Sequence, residues 1–280
     1  MTTQFYAPPS SFRRQRMVLK GDDARHIAKS LRKAPGDRIQ VVDGMGKRHE
    51  VELSHVRSGQ VVGVVRDTVQ GAGEPPYRLT IGMGLLKNRS RFETFLEKAV
   101  ECGVHRIVPM LTERTEVESL REQRSENILI AAMKQSGRSV LPDLAAPIPF
   151  AEVVGSFAGD DVAARVGRWI AHEAASAPVL TTAIAFFHNH ISPTTAETDS
   201  LDEIVDTGET PPDNRPALLI LIGPEGGFSD NELKEAVSAG VQPVRLGPNR
   251  LRAETAGIVC ASAVSMTFAS PERPDDAAFL

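Results

Sequence analysis

The chain has 280 residues, 41% of them hydrophobic and 24% charged, and a formal net charge of −4. That is enough for two domains, and no apolar run approaches the roughly 18 residues of a membrane span. Cys102 and Cys260 give neither a disulfide framework nor metal-ligand spacing, and the N-terminal MTTQFYAPPSSFRRQR lacks the apolar core of a signal peptide, so the expectation is a reduced, metal-free, cytoplasmic protein.

The charge is unevenly spread. Residues 1–70 hold 13 Lys/Arg against 7 Asp/Glu, which leaves −10 on the remainder. A basic N-terminal segment suits a polyanionic partner. In this segment Met17–Lys20, Arg38–Val42, His49–Leu53 and Gln60–Val65 read as strands, with Asp43-Gly44 as a hairpin turn. One helix interrupts them from Asp22 or Asp23, presenting His26, Ile27 and Leu31 at helical spacing and ending before Pro35-Gly36. The pattern is that of a small β-barrel with an inserted helix. Gln70–Pro76 is a linker by composition, which divides the chain into residues 1–72 and 73–280.

Beyond it, strands alternate with helices, the signature of a parallel sheet. Arg78–Leu86, Arg106–Met110 and Val166–Ala171 are the strands; Ser90–Gly103, Glu118–Gly137 and Phe150–Phe157 are the helices. Lys87, Arg89 and Arg91 crowd the turn after the first strand. His188–Pro216 carries seven acidic residues and one arginine, with few large apolar side chains, and reads as a flexible acidic insertion.

The stretch around which the second unit is organised runs from Leu218 to Ala263. An apolar run, Ala217–Ile222, reads as a buried strand. Gly223, Pro224, Glu225, Gly226 and Gly227 follow, and then Ser229 and Glu232 form a capping box. Leu233, Ala236 and Val237 give the next helix an apolar face, and Gly240 stops it. A short strand, Val244–Leu246, leads to Gly247-Pro248, and a last helix starts near Glu254-Thr255. Both glycine loops leave carboxyl ends of strands, where open α/β sheets hold ligands. No GxxxxGK[ST] occurs, which excludes a P-loop, and Gly82-Met83-Gly84 lacks the third glycine of a dinucleotide fingerprint.

LIGPEGGFSDNEL followed by LGPNRLRAETA resembles the paired signature of SPOUT-class RNA methyltransferases, and most closely the ribosomal RNA small-subunit methyltransferase E family. GLLKNRSRFETFLEKAVECGVHRIVPMLTERTEV and HIAKSLRKAPGDRIQVVDG resemble the same family, so the likeness covers most of the chain except 188–216. It implies an α/β fold: an N-terminal PUA-like RNA-binding barrel and a C-terminal SPOUT domain with a trefoil knot. It implies binding of S-adenosyl-L-methionine, methylation at N3 of a uridine in 16S ribosomal RNA of the small ribosomal subunit, and a homodimer with a shared active site. There are three departures from the family pattern: Gln4 stands for an arginine, Lys134 for a glutamate, and the pair Asn249-Arg250 for an arginine-aliphatic pair.

On this resemblance the cofactor is held mostly by backbone groups of Leu221, Ile222, Gly223, Pro224, Glu225, Gly226, Gly227, Leu246, Gly247, Pro248 and Leu251, with Thr255 and Ala256 at the start of the last helix. Arg252 is the candidate for electrostatic stabilisation of the uracil, or else a structural partner of Glu254. Glu254 is a candidate for proton transfer or for capping helix amides. Arg13, Arg14, Arg16, Arg25, Lys29, Arg32, Lys87, Arg89 and Arg91 are candidates for holding the RNA backbone.

Overall fold

A computed structural model describes residues 3–157, 166–173, 176–191 and 214–269. The N-terminal unit comprises β1 (Gln4–Tyr6), β2 (Phe12–Arg13), β3 (Arg16–Lys20), α1 (Gly21–Arg25) running into a π-helical turn over His26–Ser30, β4 (Arg38–Val42), β5 (Lys47–Arg57) and β6 (Gln60–Gln70). The sheet order is β1-β4-β5-β6-β3-β2. All pairs are antiparallel except β1 with β4. Period-2 alternation puts Ile39 and Val41, Val51 and Leu53, and Met17 and Leu19 into one core with Phe5 and Val61.

Three features depart from expectation. β5 and β6 run 11 residues each, their outer halves carrying exposed polar residues that give no apolar signal; register shifts at Glu50/Val51 and Leu53/His55 bend the pair. The helical segment buries Ala24 and Ile27 while His26 and Leu31 face solvent, because the chain widens from α to π after Arg25. β1 is only three residues long and is fixed by its pairing with β4 rather than by local pattern. The β4–β5 turn forms as read: Asp43 Oδ1 accepts from the amides of Met45 and Lys47 at 2.7 and 3.0 Å, and Gly44 sits at φ +78°.

The C-terminal unit contains β7 (Arg78–Gly84), α2 (Arg89–Glu101), β8 (Arg106–Leu111), α3 (Glu122–Ser136), β9 (Asp143–Leu144), β10 (Ile148–Pro149), α4 (Phe150–Phe157), β11 (Val166–Ala171), α5 (Leu180–Ile191), β12 (Ala217–Ile222), α6 (Asp230–Ser238), β13 (Gln242–Val244) and α7 (Ala253–Thr267). Every pair is parallel, in the order β10-β8-β7-β12-β11-β13 with β9 beside β8. Leu79, Ile81, Met83, Leu218, Ile220 and Ile222 face α2, α3, α5 and α7; Val108, Met110, Leu219 and Leu221 face α4 and α6. Apolar on both faces, β12 reads as a continuous run for that reason.

Here too the boundaries shift. α3 begins at Glu122 rather than Glu118. β13 ends at Val244, so Leu246 belongs to the loop: the Arg245 amide already turns to the Pro178 carbonyl. Val237 on α6 is half exposed, and Ala236 does the packing. α5 carries no signal that the sequence reading used, and its last turn takes in His188–Ile191, the first residues of the acidic stretch. Residues 192–213 of that stretch lie outside the described residues.

The two units are joined by a buried polar network. Glu74 in the connection pairs with Arg138 at 2.7 Å, their side chains 6% and 3% exposed. Glu74 Oε1 also accepts from the amides of Ser139 and Val140, both at 2.9 Å, while Arg138 Nη1 donates to the carbonyls of Val100 and Val104 at the end of α2. Two of the departures from the family pattern fall on this seam. Gln4 is buried and donates to the Arg138 carbonyl at 2.7 Å, and Lys134 on α3 pairs with Asp23 at 2.9 Å. Beside the seam, a groove of about 600 Å³ is lined by Tyr6, Asp43, Met45, Glu122 and Glu126 among others. Its carboxylates make it a poor seat for a polyanion.

Two histidines make stability depend on pH. Burial lowers the proton affinity of His49, against the opposing charge of Asp43, and lowers that of His105, with Arg78, Arg215 and Arg138 adding to it. The unfolded chain therefore takes up these protons first. Stability falls as pH drops below the ordinary histidine range of about 6.5 and goes on falling until the folded histidines titrate. The melting temperature at pH 5.5 is expected below that at pH 7.5, and His105→Gln should flatten that dependence; an unchanged slope in the variant would remove His105 from the account.

Candidate functional site

The carboxyl edge of the parallel sheet gathers four connections: those after β7 and β8, the glycine loop after β12, and Arg245–Arg252 after β13. β11 lies between β12 and β13, so the two glycine loops leave the same edge one strand apart.

The first loop is built by close approach. A Cβ on Gly84 would lie 2.5 Å from both the nitrogen and Cδ of Pro224, and one on Gly82 would meet Leu221 and Met110. Gly82-Met83-Gly84 is thus a packing device that seats the glycine loop against β7. Gly227 takes φ +69° to turn into Phe228, and its amide donates to the Pro224 carbonyl at 2.9 Å. The capping box forms as read: Glu232 accepts from the Ser229 amide at 2.8 Å, and the Ser229 hydroxyl accepts from the Glu232 amide.

Sequence reasoning missed what holds this loop from the other side. Glu232 is buried, and its second oxygen accepts from the Glu113 amide at 2.9 Å. Arg114 Nη1 donates to the Gly226 carbonyl at 2.7 Å. The connection after β8 therefore clamps the glycine loop through Glu113 and Arg114. The available signal was a carboxylate at the third position of a capping box, which has a second oxygen to place.

Of the residues expected to hold a cofactor, Leu221, Ile222 and Pro224 are buried, whereas Glu225 and Gly226 are exposed at the tip. Gly223 and Gly227 are intermediate. Glu225 Oε2 lies 3.4 Å from the Lys87 amide, which joins this loop to the one after β7. Leu246 and Gly247 are half-buried, Pro248 and Leu251 are exposed, and Thr255 and Ala256 lie in the first turn of α7. Arg250, which carries the displaced charge of the second loop, pairs on the surface with Glu173.

Arg252 is the N-cap of α7, exposed, with extended backbone and no side-chain cap. It does not pair with Glu254. That carboxylate, on a residue 9% exposed, is approached instead by Arg91 Nε at 3.6 Å. It does not cap the helix amides either: Oε2 is buried without a hydrogen-bond partner among the described residues. α7 then packs tightly on the sheet, where a Cβ on Gly257 would meet Met83 and Phe95.

The basic residues fall into separate groups. Arg13, Arg14 and Arg16 lie on the β2–β3 hairpin, with Arg14 at φ 53°. Arg25, Lys29 and Arg32 lie on and after the helical segment, Arg32 at φ 51° and Arg25 paired with Asp22. Among the described residues no hydrogen bond or ion pair joins either group to the glycine loops. Arg89 is exposed at the start of α2. Lys87 pairs with Glu116 at 2.6 Å, which raises its proton affinity, and Arg91 is turned towards Glu254. Among the described residues no cluster of three potential metal ligands occurs, and no helix is long and apolar enough to cross a membrane.

Comparison with known proteins bears on this edge directly. A family model described as an RNA methyltransferase domain matches residues 73–265, and one described as an RNA methyltransferase PUA domain matches residues 19–65. The ribosomal RNA small subunit methyltransferase E of a Synechocystis strain is 28% identical over 273 residues, covering 96% of this chain and 79% of the relative. That of Bacillus subtilis is 25% identical, with 88% of each chain covered. Among solved structures, the Neisseria gonorrhoeae enzyme of that name, bound to S-adenosyl methionine, superposes with a TM-score of 0.70 at 25% identity over 96% of this chain and 98% of its own. A probable rRNA-methyltransferase from Porphyromonas gingivalis gives 0.71 at 29% identity, covering 95% and 98%. Matched along both units in sequence and in fold, the chain belongs to the ribosomal RNA small subunit methyltransferase E family of RNA methyltransferases.

Proposed function

We propose that this protein is an S-adenosylmethionine-dependent methyltransferase acting on N3 of a uridine in 16S ribosomal RNA. The observation that carries the reading is the paired glycine loops that leave one sheet edge one strand apart, in a chain of this family. The residues present fit the cofactor. The backbone at Gly223 folds onto Gly227 so closely that a Cβ would sit 2.9 Å from the Gly227 carbonyl carbon, leaving main-chain groups to make the contacts. When bound, S-adenosylmethionine supplies an electrophilic methyl group on a sulfonium.

Leu221–Gly227 and Leu246–Leu251 hold the cofactor largely through backbone groups. Arg252, free of a protein partner among the described residues, points its guanidinium to the target and stabilises charge on a uracil oxygen or holds the adjacent phosphate. N3 lies on the Watson–Crick face, so the target base is unpaired or flipped out. The arginines of the N-terminal unit, with Arg89, hold the backbone of the RNA. Val259 and Met266 lie exposed on α7, Met266 at 78%, with Leu251 exposed in the loop just before it, which supports pairing of this helix with a second copy in a homodimer.

Primer extension across 16S ribosomal RNA, from cells with and without the gene, tests the reaction. N3 methylation blocks pairing and is expected to give a strong stop that depends on the gene. A weak stop, of the kind ribose methylation leaves, would overturn the N3 assignment.

Two further results are expected. Gly84→Ala pushes Pro224 and the glycine loop, so cofactor affinity should fall by roughly tenfold to a hundredfold, corresponding to about 1–3 kcal/mol of overpacking. Gly226→Val acts through Arg114, 3.1 Å from an added Cβ, and should do the same. Calorimetry decides, with Gly59→Ala, in open space, as the control. Reversing Arg25, Lys29 and Arg32 together should weaken RNA binding and flatten its salt dependence while cofactor affinity stays constant. Unaltered RNA affinity would make that segment a solvated face.

A further inference from the structure

The groove of about 600 Å³ beside the seam shares no lining residue with the glycine loops or α7. Its walls combine Tyr6, Asp43 and Met45 of the N-terminal unit with Glu122 and Glu126 of α3 and the run 141–147. Their charge has one sign. Glu122 and Glu126 lie one turn apart, both exposed, and neither is ion-paired among the described residues; Glu126 has only a 3.4 Å contact from Gln123 of its own helix. The helix dipole suits Glu122 in the first turn of α3, but Glu126 lies beyond it. The Tyr6 phenol holds its proton more tightly than usual, through burial first and then through the charges of Glu126 and Asp43, so the field inside the groove is negative. Met45, 70% exposed, and the half-buried Leu141 and Leu144 add apolar surface. The run 141–147 also carries an open sheet edge. β9 pairs with β8 alone, the amides of Asp143 and Ala145 donating to the carbonyls of His105 and Ile107 at 3.1 and 3.0 Å. Strand periodicity turns the main-chain groups of Leu144 the other way, so the edge facing away from β8 is unpaired along the groove wall.

We propose that this groove docks an extended segment of another protein in which lysine or arginine alternates with apolar side chains. The segment lies beside β9 and bonds to its open edge through the main chain. Its cations meet Glu122 and Glu126, with Asp43 adding to the field, and its apolar side chains lie on Met45, Leu141 and Leu144. Charge rules out other occupants. Residues 192–213 of this chain hold seven acidic residues and no lysine or arginine, and a nucleic acid would meet the same repulsion. A small organic cation would satisfy the carboxylates but leave the sheet edge bare. Basic arms of this kind are carried by proteins that bind nucleic acid, so a neighbour on the same RNA is the partner that fits. That last identification rests on the methyl-transfer reading; the preference of the groove for a basic, extended chain does not.

Fluorescence anisotropy with the full chain, free of cofactor and RNA, measures binding of a labelled octapeptide that alternates lysine with valine. Saturable binding is expected, and none for the same peptide with glutamate in place of lysine. Glu122→Lys combined with Glu126→Lys should weaken binding by about tenfold, two attractions becoming repulsions. Both side chains are exposed, so the fold should hold, and a melting curve checks it. N-methylating the peptide at its lysines blocks one of its edges, and at its valines the other. One of these two peptides should bind about tenfold more weakly, having lost the bonds to β9. No saturation by about 1 mM would overturn the proposal, as would an affinity that ignores the charge reversal. Equal binding of both methylated peptides and the parent would remove strand addition, and displacement by an equal concentration of spermidine would make the groove a site for small cations; either result overturns the proposal. So would a wild-type dimer that the charge reversal dissociates, which would give the groove to a second copy. Because neither cofactor nor RNA is present, a failed primer-extension result leaves this measurement standing, and a failed peptide leaves methyl transfer standing.

Discussion

Arg252→Ala is expected to slow methyl transfer by about two to three orders of magnitude, the usual cost of removing one preorganised charge from a reacting centre. Cofactor affinity and melting temperature should stay near wild type. Arg252 is exposed, caps α7 only through its backbone, and has no ion pair among the described residues, so its removal leaves no buried group unsatisfied. The alternative, a structural pair with Glu254, is displaced by the geometry, which gives Glu254 to Arg91. Arg252→Ser sharpens the test. Serine is a strong N-cap residue, so stability should hold or rise, by up to about 1 kcal/mol, while transfer is still lost. Single-turnover rates beside melting curves give both quantities, and normal turnover in either variant would end the assignment.

The largest effect on stability is expected at the seam. Glu74→Ala leaves the Arg138 guanidinium buried without its carboxylate and strips the amides of Ser139 and Val140 of their acceptor. Breaking a buried pair on one side costs about 3–5 kcal/mol, a large share of the stability of an ordinary domain. Replacing both Glu74 and Arg138 with methionine should recover part of the loss but not all of it, since the two amides stay unpaired. Denaturant titration measures each step, and a loss below about 1 kcal/mol for Glu74→Ala would show that water reaches the pair.

How much of this was legible in the residues follows physical lines. β12, its glycine loop and the Ser229 capping box were readable because each is local: an apolar run, a glycine cluster, a three-residue spacing. The Arg91–Glu254 pair was not, because it joins the first turns of two helices far apart in the chain, and a charge has no periodicity to betray its partner. Gln4 and Lys134 read only as departures from the family pattern. They turned out to be contacts between the units, a role that appears only when both surfaces are present. β1 and α5 were missed for a related reason. The first is made by its neighbour β4, and the second packs against α7, its apolar positions buried by tertiary contact and only its last turn falling in the stretch read for its acidity.

The Glu74–Arg138 seam also sets a length. With the connecting segment bonded to the residues that follow α3, whose Arg138 in turn reaches the end of α2, the N-terminal arginines stand at a constant span from the carboxyl edge of the parallel sheet. If those arginines hold the RNA backbone as proposed, the enzyme works as a caliper: an RNA is admitted when its anchored backbone and its extruded base are the right distance apart, whatever letters lie between. Substrates would then be told apart by their folded shape, and sequence changes in the RNA that preserve that span should be tolerated where a single inserted base pair is not.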